Sequence, residues 1–151
     1  MIVYNLLVKG MGLESLKQIL QNDPAMMEEY YDFLVECYKK GDNLNKITIS
    51  SIFADHLDNR SVEETVNLMI KDLERIAAKE GAFDASDLII QNILKLCSKN
   101  YYSNVGDAEW FLMDVLLKIM PKLKNPATAK IALDILIVNL GDIIIINRIL
   151  H

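Results

Sequence analysis

The residue types that could do chemistry are present in this chain, but their spacing keeps them apart. His56 has no cysteine and no second histidine in ligand spacing, and a metal centre needs several donors converging on one point. It reads as a solvated or hydrogen-bonded helix histidine, and the terminal His151 carries no argument. The acidic groups Glu28-Glu29-Asp32 and Glu63-Glu64 could serve as paired carboxylates for acid–base work. They fall in the first turns of helical patterns, where negative charge meets the positive end of the helix dipole, and the structural reading is preferred. Ser50-Ser51 and Ser103 lack a G-x-S-x-G elbow, the turn that would expose a nucleophilic hydroxyl. Gly10-Met11-Gly12 lies in a helical pattern, and neither a G-x-G-x-x-G nor a Walker loop is found. Tyr30-Tyr31-Asp32-Phe33 has the Tyr-x-x-Φ spacing of a sorting signal. Such a signal is read extended, whereas this one sits in a helix and serves packing. No catalytic, cofactor-binding or metal-binding residue is therefore expected, and the chain does not read as an enzyme.

Composition sets the frame. The 151 residues are 52% hydrophobic and 25% charged, enough for one domain with a buried core and too apolar for disorder. The formal charge is −5, which argues against nucleic acid as a partner, since phosphate binding needs a basic face. The two cysteines, Cys37 and Cys97, lie inside separate helical patterns and read as buried thiols in a reducing compartment. The apolar N-terminus lacks a basic leader region and a small-residue cleavage site, so it does not read as a signal peptide. The apolar stretch Ile131 to Leu150 is interrupted by Asp134, Asn139, Asp142, Asn147 and Arg148 and is not expected to span a bilayer. The expected setting is the cytosol.

The helices that must position these residues are well punctuated. Helix one is expected from about Ile2 to Gln21, with Asp23-Pro24 ending it and opening helix two. Helix two runs to about Lys39, where Gly41 closes it, and helix three covers about Asn43 to Asp58. Ser61 to Glu64 forms an S-x-x-E capping box for helix four, which Gly81 ends. Helix five runs from about Asp84 to Ser98. Asp107 is the expected N-cap of helix six, and Asn125-Pro126 opens helix seven. Gly141-Asp142 is expected to separate helix seven from an eighth helix. Apolar stripes such as Leu13, Leu16, Ile19 and Leu20, or Val62, Val66, Met69, Ile70 and Leu73, recur at helical spacing.

These elements fall into four hairpins, at about 2–39, 43–80, 83–122 and 126–150, a period of about 40 residues. The fold class is therefore all-α, a HEAT/armadillo-like α-solenoid of about eight helices in four hairpins. The last hairpin is apolar on almost every side, unlike a terminal capping repeat. A further repeat or subunit is expected to cover Ile143, Ile144, Ile145 and Ile146. A closed bundle with a central C-terminal helix is the competing reading.

One segment is more particular. Between Asp87 and Met120 stand Cys97-Ser98, then Tyr101-Tyr102, then Asp107-Ala108-Glu109-Trp110-Phe111. This signature resembles the trunk of the delta-adaptins, the delta large subunits of the third heterotetrameric adaptor complex. Members carry a similar Cys-Ser, a Tyr a few residues on, and an acidic or Asn residue before Glu/Asp-Trp-Tyr/Phe. The likeness extends through Leu6 to Pro24, Asp32 to Leu57 and Ala127 to Leu140, so that it spans most of the chain. Departures are Lys9-Gly10-Met11-Gly12-Leu13 at the family's Tyr-Leu-Gly-Leu, and Lys46, Thr48 and Ser50 where basic residues are usual.

The resemblance implies a non-enzymatic scaffold, an interior piece of a longer trunk. It implies partners among the other subunits of such a complex: a second large chain, a medium chain and a small chain. It also implies recruitment by a small GTPase and indirect, peripheral association with Golgi or endosomal membranes, in transport toward lysosome-like or vacuolar compartments. Read from the residues alone, Cys97, Ser98, Tyr101, Asp107, Glu109, Trp110 and Phe111 are architectural, Trp110 anchoring helix six against helix five. The alternatives are another helical-repeat scaffold and a compact all-α interaction module such as a viral Bcl-2-like regulator.

Overall fold

In the computed structural model the chain is all-α, with no strand among the described residues. The description covers residues 11–58, 61–77 and 83–150, with the side chains of Met11, Ala77, Phe83, Asp84, Tyr101 and residues 139–150 outside it. The expected helical start at Ile2 and the Gly81 stop lie outside the described residues.

Among the described residues seven helices follow one another. They are α1 (Met11–Asn22), α2 (Met27–Lys40, preceded by a 3-10 turn Pro24–Met26), α3 (Asn43–His56), α4 (Val62–Ala77) and α5 (Phe83–Tyr102). Helix α6 spans residues 108–119, its middle, Phe111–Leu116, wound as a π-helix, and α7 is Pro126–Leu150.

Local chemistry explains the starts and stops. Pro24 sits where a missing N–H does no harm, at the first position after Asp23, although the Asp23 side chain makes no capping bond. Asp42 caps α3 by accepting from the Asn45 N–H at 2.8 Å. Asn125 caps α7 in the same manner, accepting from the Ala127 N–H at 2.9 Å. Gly41 separates α2 from α3 because a Cβ there would lie 2.8 Å from the Cys37 carbonyl oxygen and 2.9 Å from Asn45 Cβ.

The packing is a two-layer stack. Helices α1, α3, α5 and α7 lie against one another in that order. Helices α2, α4 and α6 form the second layer, tied in sequence by Tyr31 to Thr65 and by Trp110 to Asn67. Between the layers lies one continuous apolar core, running from Leu13 and Leu20 through Leu34, Phe53, Met69 and Ile93 to Phe111, Ile119 and Ala132. Successive stacking of helix pairs is the arrangement of an α-solenoid.

One expectation is corrected. Gly141-Asp142 does not divide two helices, because α7 runs unbroken from Pro126 to Leu150. A glycine inside a helix costs only about 1 kcal/mol relative to alanine, and the apolar residues on both sides of Gly141 favour continuation. Despite the length of α7, no described helix is long and apolar enough to cross a membrane.

Candidate functional site

The signature residues converge on the junction between α4, α5 and α6. Asp107 Oδ1 accepts from the backbone N–H groups of Glu109 at 2.9 Å and Trp110 at 3.2 Å, which fixes the start of α6. This cap aims Trp110 inward, leaving it 7% exposed. Its indole Nε1–H donates to Asn67 Oδ1 at 3.1 Å. The hydrogen bond of the indole thus reaches α4, 43 residues back in sequence.

Beside it, Phe111 is fully buried and meets the Tyr102 ring at 6.0 Å between centroids, tilted by 49°. Tyr102 holds this position at φ 64°, and Asn100 lies at φ 53°. Both are in the left-handed region, which a bulky residue rarely adopts. Asn104 folds back so that its Nδ2–H donates to the Leu96 carbonyl at 3.1 Å. The end of α5 is thus closed by side chains where a glycine often stands.

Cys97 is fully buried, and burial pushes its thiol up to about 12. Burial, followed by the neighbouring Glu36 carboxylate, also raises the Cys37 thiol. Both cysteines are free, and a thiol held protonated is a poor nucleophile. Ser98 Oγ–H lies 3.5 Å from the Lys95 carbonyl on its own helix. Glu109 is exposed. The Tyr101 side chain and those of Ile143 to Ile146 lie outside the described residues. The structure thus places Asp107 and Trp110 at the start of α6 and Phe111 against Tyr102 at the end of α5, while Cys97 is buried on α5.

Polar bonds that the sequence did not announce stitch the helix pairs together. Lys46 Nζ donates to Asp72 Oδ2 at 2.6 Å, both side chains nearly buried, and lies 5.1 Å from the centre of the Tyr38 ring. One cation so links α2, α3 and α4. Between α3 and α5, Asn92 Nδ2–H donates to Ser50 Oγ at 2.8 Å and Lys95 meets Asp55 at 2.6 Å. Between α5 and α7, the Thr128 hydroxyl donates to Asp87 Oδ2 at 2.9 Å and accepts from Gln91 Nε2–H at 2.9 Å. These are the residues a stack needs to fix the register of each layer on the next. Only long-range pairing reveals them, since each pair lies on different helices.

Among the described residues no group of three or more His, Cys, Asp and Glu could hold a metal ion. Glu28, Glu29, Glu63 and Glu64 occupy first turns of α2 and α4.

The fold is all-α, with helices stacked in the manner of an α-solenoid. No family model matches the chain, and no solved structure matches it. Among curated proteins it is similar to the AP-3 complex subunit delta of Dictyostelium discoideum, 26% identical over 113 residues, which is 74% of this chain and 9% of that protein. This likeness supports a relation to the adaptin family. The chain thus spans a small fraction of the length of the curated relative it matches.

Proposed function

We propose that this chain is a non-enzymatic segment of the trunk of an adaptor-complex large subunit, of the delta type. The observation that carries the reading is the Asp107–Trp110–Phe111 junction, in which a signature that resembles that of the delta-adaptins ties α6 to α4. The likeness to an AP-3 delta subunit supports the same reading.

A stiff stack of this kind acts by geometry. It presents large faces on which other subunits dock, and a few buried anchors carry most of the affinity. The partners are a second large chain, a medium chain and a small chain, with a small GTPase governing recruitment. The setting is the cytoplasmic face of Golgi or endosomal membranes, and the process is vesicle transport toward the lysosome or vacuole. Membrane association is indirect, consistent with a net charge of −5, since anionic lipid surfaces attract basic segments.

Helix α7 supports the interior position of the segment. Ile131, Leu133, Ile137 and Val138 are 45–65% exposed on it, while Thr128, Ala132 and Ile135 face the stack. A helix apolar on all sides belongs between two neighbours. A following repeat or another subunit covers this face. Reconstitution tests the proposal: the chain, within its full-length gene product, is co-expressed with candidate medium and small chains. Co-elution as one stable particle supports it, and separate elution of all chains counts against it.

A further inference from the structure

The sequence reads His56 as a solvated or hydrogen-bonded helix histidine, and its Nε2 is neither. That nitrogen is buried and meets no hydrogen-bond partner among the described residues, and such a group calls for an explanation in a native structure. His56 is the last residue of α3. It stands at the seam between the first two helix pairs, where Pro24 and Ala25 of the α1–α2 connection and Ser61 just before α4 line one cavity with it.

The charges around the ring are already matched. Lys95 of α5 meets Asp55 at 2.6 Å. Lys99, one turn further along α5, donates to the Asp55 carbonyl at 3.0 Å and lies 3.7 Å from Asp58. From α2, Glu28 and Tyr31 line the cavity beside the ring. Burial holds the His56 pKa below its ordinary 6.5; Asp55 favours the charged ring, and Lys99 and Lys17 of α1 oppose it. In a neutral imidazole only one nitrogen donates, whereas in the charged ring both must. A proton on His56 therefore gives Nε2 an N–H with no acceptor, and adds a cation where Lys17, Lys95 and Lys99 already serve the two aspartates.

We propose that His56 is an acid-sensitive latch on this seam: when the ring takes up a proton, α1 and α2 loosen from the end of α3, while the far end of the stack stays packed. Because the folded chain binds this proton less readily than the unfolded one, stability is complete above pH 6.5. It is lost as pH falls through 6.5 toward the lower folded value. The latch is independent of the adaptor reading, because it rests on helices α1 to α5 alone.

The test is a nuclear magnetic resonance pH titration of the whole chain, whose histidines are His56 and His151. The His56 ring signal, identified by its loss in His56→Gln, should titrate with a midpoint below 6.5. Lys17→Gln, which removes one opposing cation, should move that midpoint upward. Amide hydrogen exchange, corrected for its intrinsic pH dependence, should show weaker protection of residues 16–22 and 27–34 at about pH 5.5 than at about pH 7.5, with residues 111–119 unchanged. The urea midpoint should fall over the same interval, and His56→Gln should remove at least about half of that fall. A His56 midpoint at or above 6.5, protection lost evenly along the stack, or an equal fall in His56→Gln would overturn the inference.

Discussion

Trp110 Nε1 donates to Asn67 Oδ1 across 3.1 Å, and this bond ties α6 to α4 at the point where two helix pairs meet. The indole is almost wholly buried, so the bond and the packing of the ring act together. Removing the N–H while keeping an aromatic ring, in Trp110→Phe, should cost about 1–3 kcal/mol, because Asn67 loses its donor. Trp110→Ala should cost about 3–5 kcal/mol through the cavity it leaves. Urea unfolding followed by circular dichroism measures both, and an unchanged stability in Trp110→Phe would show that the hydrogen bond contributes nothing of its own.

The buried Lys46–Asp72 pair gives a sharper contrast. Lys46→Met leaves Asp72 with only the exposed Arg75, 3.8 Å away, as a partner, and should destabilise by about 3–5 kcal/mol. Replacing both, as Lys46→Met with Asp72→Leu, should recover most of that loss. A double-mutant cycle checks it. Additive losses would mean that the two charges do not depend on each other.

Cys97 links stability to alkaline pH. Its thiol is raised from 9.0 to about 12 in the folded chain, so folding favours the protonated form. The stabilisation is complete below pH 9 and is lost as pH climbs from 9 toward about 12. Stability should fall more steeply over that window in the wild type than in Cys97→Ala, read from unfolding midpoints at stepped pH. At pH 8 neither cysteine should react with a thiol reagent until the chain is unfolded.

Gly41 is held small by its surroundings. An alanine Cβ would press on the Cys37 carbonyl oxygen at 2.8 Å, and that oxygen belongs to backbone. Gly41→Ala should therefore destabilise by about 1–3 kcal/mol despite its φ of −76°. Thermal unfolding measures this. A neutral or stabilising result would show that the α2–α3 junction can open at little cost.

The exposed apolar face of α7 should make the isolated chain self-associate at high concentration. Ile137→Glu with Val138→Glu should restore a monomer, as read by sedimentation velocity. A strictly monomeric wild type would argue that this face is shielded from within the chain.

Much of the fold is legible in local sequence because caps and stripes are local. Asn125-Pro126 and Asp107 mark helix starts that the structure contains, and the apolar stripe from Val62 to Leu73 is the buried face of α4. What local sequence does not show is which residue each anchor meets. Trp110 stands out by type, yet its partner Asn67 has nothing distinctive about it. Lys46 looks like a solvated helix lysine until Asp72 and Tyr38 close over it. Gly141 looks like a stop, but the apolar residues flanking it carry the helix through. The π-helical winding of Phe111–Leu116 leaves no sequence signal at all.

The most direct test of the scaffold reading is affinity capture of the endogenous tagged gene product, with its size read on the same gel. The account predicts a product far larger than 17.2 kDa, recovered with a second large chain, a medium chain and a small chain. A 17.2 kDa product recovered with none of them would contradict it.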